Sequence, residues 1–370
     1  MHVATLDAAG NVPKPLTAHE AQWAENVRSG AVQAAFDELL RKQALSLPEK
    51  IDLTHKVISD WYEAWDGLVS VSFSGGKDSS VLLHLVRQQY PDVPAVFCNT
   101  GLEYPEIARL VKATPNHVVL RPKIPFWQVV RDYGWPLASK KIARGVNILR
   151  HPTEKNQNIW RLYDQGINRH GREVHGFKVP KQWRFLTQAP FEVSDVCCKI
   201  MKKDPSAAFE KATGRKPFVG TLASDSKARQ RTYLKTGCNA YDAVHPRSAP
   251  LSFWTEQDVL QAIRLFNIPI PAVYGRIMEN RDGRLFTTGV RRTGCVFCCF
   301  GLHLDHLDGP QNRFQRLALT HPRLYDYCMN RLGLRDVLRY CKDAANPSLA
   351  ARLVWEPEPV MEQCNLLEVA

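Results

Sequence analysis

No stretch of this chain approaches the ~20 consecutive apolar residues that a membrane-spanning helix needs; the best runs, such as Ser80 to Val86, are core-sized. The first twenty residues, MHVATLDAAGNVPKPLTAHE, hold no continuous apolar segment of the secretory kind, so the expectation is a cytoplasmic chain with no membrane partner. Internal repeats at solenoid or propeller periods are missing, which excludes those architectures. Acidic residues are scarce: 37 Asp and Glu face 49 Lys and Arg, a formal net charge of +12. A surplus of this size favours polyanionic partners such as nucleic acid, nucleotides or anionic lipid, and says nothing about fold. With 44% hydrophobic and 23% charged residues over 370 positions, collagen-like, low-complexity and wholly disordered chains are excluded.

Along the chain, residues 1–16 read as a loose tail. From Thr17 to about Trp65 apolar residues recur at helical spacing (Ala21, Trp23, Val27, Val32, Phe36 and Leu39, then Ile51, Val57, Ile58 and Trp61), and Pro48 breaks the run into two helices. The texture then changes. A β-rich run, Leu68 to Phe73, precedes Ser74-Gly-Gly-Lys-Asp-Ser-Ser80 and the helix-compatible VLLHLVRQQY. Further strands are expected at Ala95 to Cys98, His117 to Leu120 and Lys216 to Gly220, and further helices at Glu106 to Ala113, Phe126 to Tyr133 and Glu256 to Phe266. This alternation predicts an α/β fold, a mostly parallel sheet flanked by helices, with helical N- and C-terminal extensions. The expected layout is 1–66 for the N-terminal tail and helices, 67–305 for the sheet domain, and 306–370 for a helical extension.

Residues 139–190 interrupt the alternation. They hold eleven Lys and Arg against Glu154, Asp164 and Glu173, a local surplus of +8, with Trp160, Tyr163, Phe177, Trp183 and Phe185 interleaved. Two readings stand: a solvated insertion whose aromatics pack inward, or a phosphate-backbone surface whose aromatics stack on bases.

The stretch with the most chemistry is the glycine loop. Gly75 and Gly76 permit a tight turn with backbone N–H groups pointing into it, and the helix that follows offers unpaired amides and the positive end of its dipole. Ser74, Ser79 and Ser80 add hydroxyls, Lys77 adds a charge, and Asp78 suits a metal ion or a helix cap. It is not a Walker A loop, because Asp rather than Ser or Thr follows Gly76-Lys77; nor is it GxGxxG. The alternative is a plain strand-to-helix turn with a capping Asp.

SGGKDSS after VSVSF resembles the PP-loop of the adenine-nucleotide α-hydrolase superfamily, which grips the pyrophosphate of ATP or a related phosphate. The downstream text is similar to the phosphoadenosine-phosphosulfate (PAPS) reductase branch. Asn99-Thr-Gly-Leu-Glu-Tyr-Pro-Glu106, Gly134-Trp-Pro-Leu-Ala-Ser-Lys-Lys141, Gly220-Thr-Leu-Ala-Ser-Asp-Ser-Lys-Ala-Arg229 and Pro250 to Val259 ending at Ile268 to Tyr274 follow in family order over roughly 67–305. Two positions depart from the pattern: Thr221 stands where the usual Arg would follow Gly220, and Asp225 replaces the usual Glu. The resemblance implies a Rossmann-like fold binding ATP with Mg²⁺, with Ser74, Gly75, Gly76, Lys77, Asp78, Ser79, Ser80, Thr100, Gly101 and Glu103 against the nucleotide. It implies Lys77, Asp78 and Arg229 as the catalytic groups.

Ten cysteines are present, and in a reducing cytosol clustered thiols serve metals, redox chemistry or core filling. Cys197-Cys198 precede Lys199, Lys202 and Lys203, and Gly294-Cys295-Val-Phe-Cys298-Cys299 lies far downstream. Cys-x-x-Cys lets two thiolates reach one ion from a turn. An adjacent pair is awkward for mononuclear zinc, because neighbouring side chains diverge, whereas an iron–sulfur cubane offers separate iron corners. Cluster, zinc and unligated thiols all remain open on spacing alone. The CC…CxxC pattern resembles the ligand set of adenylylsulfate (APS) reductases and Dnd/Ssp-type DNA-phosphorothioation proteins, which implies Cys197, Cys198, Cys295 and Cys298 as ligands of a 4Fe–4S cluster. Cys299, Cys238 and Cys364 are possible sulfur carriers, and Cys98, Cys328 and Cys341 read as core thiols.

Three functions are weighed. The first is ATP-dependent, adenylating sulfur transfer to DNA, or less favourably RNA, as in DNA phosphorothioation, with a cysteine desulfurase as partner. The second is APS or PAPS reduction, for which a mobile C-terminal ECGLH segment is missing; Cys299-Phe-Gly-Leu-His303 and Glu362-Gln-Cys364 are partial echoes. The third covers tRNA thiolation or a non-catalytic nucleotide sensor. The cluster expectation has a direct test: anaerobically purified protein absorbs near about 400 nm, and Cys197→Ala or Cys295→Ala removes the band. Colourless protein with stoichiometric zinc would contradict it.

Overall fold

The computed structural model describes residues 25–26, 29–307, 309 and 311–357; the expected helical residues Ala21, Trp23 and Val27 lie outside these, as does Cys364. The chain divides into two compact units, and the division falls inside the stretch 67–305. Of the described residues, one unit takes those up to 126 together with 198–295; the other takes 127–197 and 296–357.

The first unit is built on β1 (Val69–Ser72), β2 (Ala95–Cys98), β3 (His117–Leu120), β4 (Lys216–Val219), β5 (Asn239–Ala240) and β6 (Arg247–Ser248), in the order β3-β2-β1-β4-β6-β5. All pairings are parallel except β5 with β6. In β1, Val69 and Val71 are fully buried on one face and Ser70 is buried on the other, as in a strand covered on both sides. A separate hairpin joins β7 (Ile277–Glu279) to β8 (Leu285–Thr287).

The helices of this unit are α1 (Ala31–Ala44), α2 (Leu47–Ala64), α3 (Lys77–Gln89), α4 (Pro105–Ala113), α5 (Asp204–Thr213), α6 (Lys227–Thr236) and α7 (Glu256–Phe266). The expected break between the first two falls at Leu45 and Ser46. Pro48 sits in the first turn of α2, where its missing N–H costs nothing, and a Ser46–Glu49 capping box starts that helix. The face of α3 toward the sheet is Val81, Leu82, Leu85 and Val86, each with no exposed surface.

Two buried polar links fasten α2 to the segment that starts α7. Lys50 Nζ donates to Asp258 Oδ2 at 2.8 Å, and Trp254 Nε1–H donates to Thr54 Oγ1 at 2.8 Å. Asp258 also caps its own helix by accepting from Thr255 N–H at 2.7 Å. Trp254 and Asp258, within the Pro250 to Val259 segment, are therefore docking residues for α2.

β1 is followed through α3 by β2 on one side, whereas β4 pairs on its other side. The loops leaving the carboxyl ends of β1 and β4 thus run in opposite directions and leave a crevice, the place where open α/β sheets bind ligands.

The second unit is mainly helical: Lys140–Arg150, Gln157–Asp164, Arg313–Thr320, Pro322–Asp326, Leu334–Ala344 and Pro347–Ala350. Gly145 lies inside the first of these because a Cβ there would sit 2.5 Å from the Tyr163 ring. Val146, Leu186 and Phe314 are fully buried in it.

Lys50 is 2% exposed, and removing one member of a buried ion pair costs about 3–5 kcal/mol. Lys50→Ala should lower the urea midpoint of the full chain accordingly, whereas exposed Lys56→Ala should leave it in place. Equal midpoints for both variants would contradict this account of α2 docking.

Candidate functional site

The turn after β1 runs through Phe73, Ser74 and Gly75 to Gly76, the N-cap of α3. Gly75 has φ +69°, and a Cβ there would lie 2.7 Å from Ile107 Cγ2 on α4. Gly220, at the end of β4, approaches Ser79 so closely that a Cβ would meet its backbone N at 3.1 Å. Gly76 supplies no side-chain cap to α3, and the Tyr274 hydroxyl accepts from its first amide, that of Lys77. The Ser74 and Ser79 hydroxyls pair at 3.0 Å, and Ser79 Oγ donates to Gly76 O at 2.9 Å. Ser80 is placed differently. The residue lines a groove of about 440 Å³ beside Leu83, His84 and Leu110, with its hydroxyl oxygen buried and without a hydrogen-bond partner, whereas Ser74 lines another cavity.

Charged groups surround the helix start. The Lys77 ammonium donates to Glu256 Oε1 at 2.8 Å and to the Arg291 carbonyl at 2.7 Å. Its backbone N–H donates to Tyr274 Oη at 3.2 Å, and that hydroxyl pairs with Thr293 Oγ1 at 2.9 Å. Glu256 also accepts from the Arg291 guanidinium at 2.8 Å. Burial opposes ionisation of Glu256, but the hydrogen bonds from Arg291 and Lys77 outweigh it and hold the carboxyl at about 2. Asp78 behaves oppositely: burial pushes its carboxyl up against the pull of Lys77, Arg292 and Arg229. Its Oδ1 is buried without a hydrogen-bond partner. Asp225 accepts from both Arg229 and Arg292, the latter at 2.6 Å.

The turn after β2 is organised by Glu103, whose carboxylate accepts from Thr100 Oγ1 at 2.7 Å and Thr100 N–H at 3.1 Å. Gly101 permits that turn with φ +75°. A cavity of about 210 Å³ joins this turn to the glycine loop, with Ser72, Ser74, Cys98, Glu103, Lys202 and Thr293 in its wall. Lys202 comes from a π-helical turn, Lys199–Lys203, leading into α5.

Of the cysteine set, Cys198 and Cys295 belong to the sheet unit and Cys197 and Cys298 to the helical unit. The Lys202 ammonium acts on both Cys198 and Cys295. Among the described residues, no three His, Cys, Asp or Glu side chains are grouped to hold a metal ion. Cys98, expected as a core thiol, is only half-buried and opens on the cavity, donating to Met201 O at 3.0 Å; burial pushes it up to about 11. Burial pushes Cys238 up to about 12 and Cys299 well above its ordinary value, and both therefore stay thiols at neutral pH. Cys328 and Cys341 are buried core thiols, as expected.

In the basic stretch 139–190 the inward-packing reading holds for two of the aromatics. Tyr163 and Trp183 are buried, and Trp183 meets His303 edge-on at 5.0 Å, so neither presents a face for a base. Lys140, Lys141, Arg144, Lys178 and Lys181 are exposed. No described helix is long and apolar enough to cross a membrane.

Glu256, Arg291, Arg292 and Thr293 were not singled out from the sequence. The available signal was the Arg-Arg doublet directly before Thr-Gly-Cys295.

A mostly parallel sheet whose order reverses at β1, with a glycine turn and a helix start at that switch point, is an α/β fold of the nucleotide-binding class. The chain belongs to the phosphoadenosine phosphosulfate reductase domain family, whose pattern it matches over 68–143 and 165–299. An uncharacterised Methanocaldococcus jannaschii protein is 39% identical over 111 residues, 28% of this chain and 23% of that one. A phosphoadenosine 5'-phosphosulfate reductase of Thiocapsa roseopersicina is 42% identical over 64 residues, 16% of this chain and 27% of that one. Sulfate adenylyltransferase subunit 2 of Salmonella paratyphi B is 27% identical over 226 residues, 58% of this chain and 63% of that one. The chain thus spans less than two thirds of the length of each of these relatives. A solved PAPS reductase from Candida auris, a phosphate complex, aligns with TM-score 0.34 and 12% identity, covering 70% of this chain and 92% of that one.

The depressed Glu256 carboxyl contributes stability that is complete above its ordinary value of 4.5 and is lost as pH falls toward about 2. Acid titration of unfolding should therefore show a smaller loss across that window in Glu256→Gln than in the unaltered protein. Identical slopes would contradict the assignment.

Proposed function

We propose that this protein is an ATP pyrophosphatase that adenylates its acceptor, carries an iron–sulfur cluster and transfers sulfur to DNA, as in phosphorothioate modification. The observation that carries the nucleotide part is the start of α3: a helix whose N-cap, Gly76, offers no side chain, beside the buried, unpartnered Asp78 Oδ1. A triphosphate fits the amides of such a helix start, and a hard divalent cation fits that carboxylate oxygen. Mg²⁺ held by Asp78 would supply charge neutralisation to the phosphates. Arg229 adds a guanidinium for the charge that develops as pyrophosphate leaves the α-phosphorus. Lys77 acts through its neighbours: its bonds to Glu256 and the Arg291 carbonyl fix segment 291–295 over the loop.

For the cluster, Cys197, Cys198, Cys295 and Cys298 would be the ligands. The support is the sequence pattern of the two cysteine pairs. With no three candidate ligands grouped around one point among the described residues, no step is routed through it. The acceptor reading rests on charge: exposed Lys140, Lys141, Arg144, Lys178 and Lys181 suit a phosphate backbone, DNA being preferred to RNA. A cysteine desulfurase is the expected sulfur donor.

APS or PAPS reduction is the second reading, favoured by the name of the Thiocapsa relative. Anaerobic protein mixed with ATP, Mg²⁺ and DNA should yield AMP and pyrophosphate in equal amounts. Absence of both, with thioredoxin-dependent sulfite release from APS or PAPS, would establish reduction instead. ATP binding without any product would identify a sensor.

A further inference from the structure

The β7–β8 hairpin stands apart from the six-stranded sheet. Its register pairs Met278 with Phe286, flanked by Ile277 with Thr287 and Glu279 with Leu285. The ladder runs one step further at each end: Thr288 N–H donates to Arg276 O and Asn280 N–H to Arg284 O, both at 2.9 Å. Successive residues of a strand alternate between faces, so Arg276, Met278, Arg284 and Phe286 share one face.

The other face and the β8 edge are fastened to α7. Leu285 is buried, and Arg264 Nη1 donates to Glu279 Oε2 at 3.2 Å. The Gln257 side-chain amide accepts from Leu285 N–H at 2.8 Å and donates to Leu285 O at 2.9 Å, in the manner of a third strand. The hairpin is thus held from behind, and its outer face is left without a protein neighbour.

That outer face combines two properties. Met278 and Phe286, side by side across the strands, are 46% and 45% exposed. At either end of this apolar pair, two residues along, stand Arg276 and Arg284. Both are exposed, as is Arg281 in the turn, and none of the three side chains bonds or pairs with another described residue. The nearby acids are Asp282 and Glu279, and the charge of Glu279 is already taken by Arg264. A protein partner would have to neutralise three guanidiniums as well as cover the apolar pair. A single nucleic-acid strand does both with one repeating unit, base on ring and phosphate on guanidinium.

The hairpin is also in the right place. Gly289 N–H, just past β8, donates to Tyr274 O at 2.8 Å, and Tyr274 Oη accepts from the Lys77 N–H of the glycine loop. We propose that the outer face of the β7–β8 hairpin binds single-stranded DNA, a base stacking on Phe286 beside Met278 and the flanking phosphates meeting Arg276 and Arg284. The strand is thereby held beside the glycine loop. An aromatic face takes only an unstacked base, so an unpaired acceptor is preferred to intact duplex. This inference rests on the DNA reading of the acceptor, and its test separates the two.

The test is fluorescence anisotropy of the full chain with a labelled deoxythymidine oligomer of about 12 nucleotides. Phe286→Ala should weaken binding about tenfold. Phe286→Leu, which keeps apolar area and removes the ring, should weaken it nearly as much, whereas Phe286→Tyr should retain it. Arg276→Gln and Arg284→Gln should each lower the slope of log affinity against log salt by about 0.7, a change that Phe286→Leu should not produce. Because these positions are exposed, the urea midpoints should stay in place, which separates a lost contact from a lost fold. Oligomer binding that none of these substitutions alters would overturn the hairpin assignment and leave the DNA reading standing. A chain that binds neither single-stranded nor duplex DNA would overturn both. Preference for duplex of the same length, or a dimer that Phe286→Ala dissociates in sedimentation, would assign the face to another occupant and overturn the proposal.

Discussion

The first turn of α3 starts at Gly76, a residue with no side chain to cap it, so groups outside the helix must meet its amides. That condition organises the surroundings. Gly75 turns the chain against Ile107 where a Cβ would collide, and Gly220 lets β4 end directly against Ser79. Tyr274 Oη takes one amide, that of Lys77, and the Ser74 and Ser79 hydroxyls bond to each other. The split of the sheet around β1 then keeps the space in front of the turn open. An anion there is favoured by the helix dipole and by cations already in place.

Those cations are themselves held by carboxylates. Glu256 fixes Lys77 and Arg291; Asp225 fixes Arg229 and Arg292. Lys77 is the instructive member. As a sequence position it reads as a phosphate ligand, and in the folded chain its ammonium bonds the Glu256 carboxylate, 179 positions away, and the Arg291 carbonyl, 214 positions away. A buried ammonium needs a partner, and Glu256 supplies it. The consequence is that the glycine loop and the segment leading to Cys295 are bonded to one another.

Much of the fold was legible because its signals are local. Strand β1 is buried on both faces over Val69, Ser70 and Val71, as a central parallel strand should be, and the expected α/β alternation matches β1 to β4 and α3, α4 and α7. The glycines of the loop could be read as conformational requirements, and Gly75 is one. Other positions needed the fold to decide them. Tyr163 and Trp183 sit among lysines in the sequence, which left inward packing and base stacking both open, and large aromatic surfaces are buried wherever the fold offers a core. Cys98 ends an apolar strand, and only the cavity at that strand's end distinguishes it from a core thiol.

By itself, the sequence determined the strand–loop–helix unit at 69–89, the charge surplus and the cysteine spacings, because each follows from neighbouring residues and backbone geometry. Tertiary structure decided which charges meet. Asp225 with Arg292, Lys77 with Glu256 and Lys50 with Asp258 are separated by 67, 179 and 208 positions. No local pattern encodes such pairs. They exist because the order of strands brings the ends of β1 and β4 together, and because charges withdrawn from water there must find opposite charges nearby.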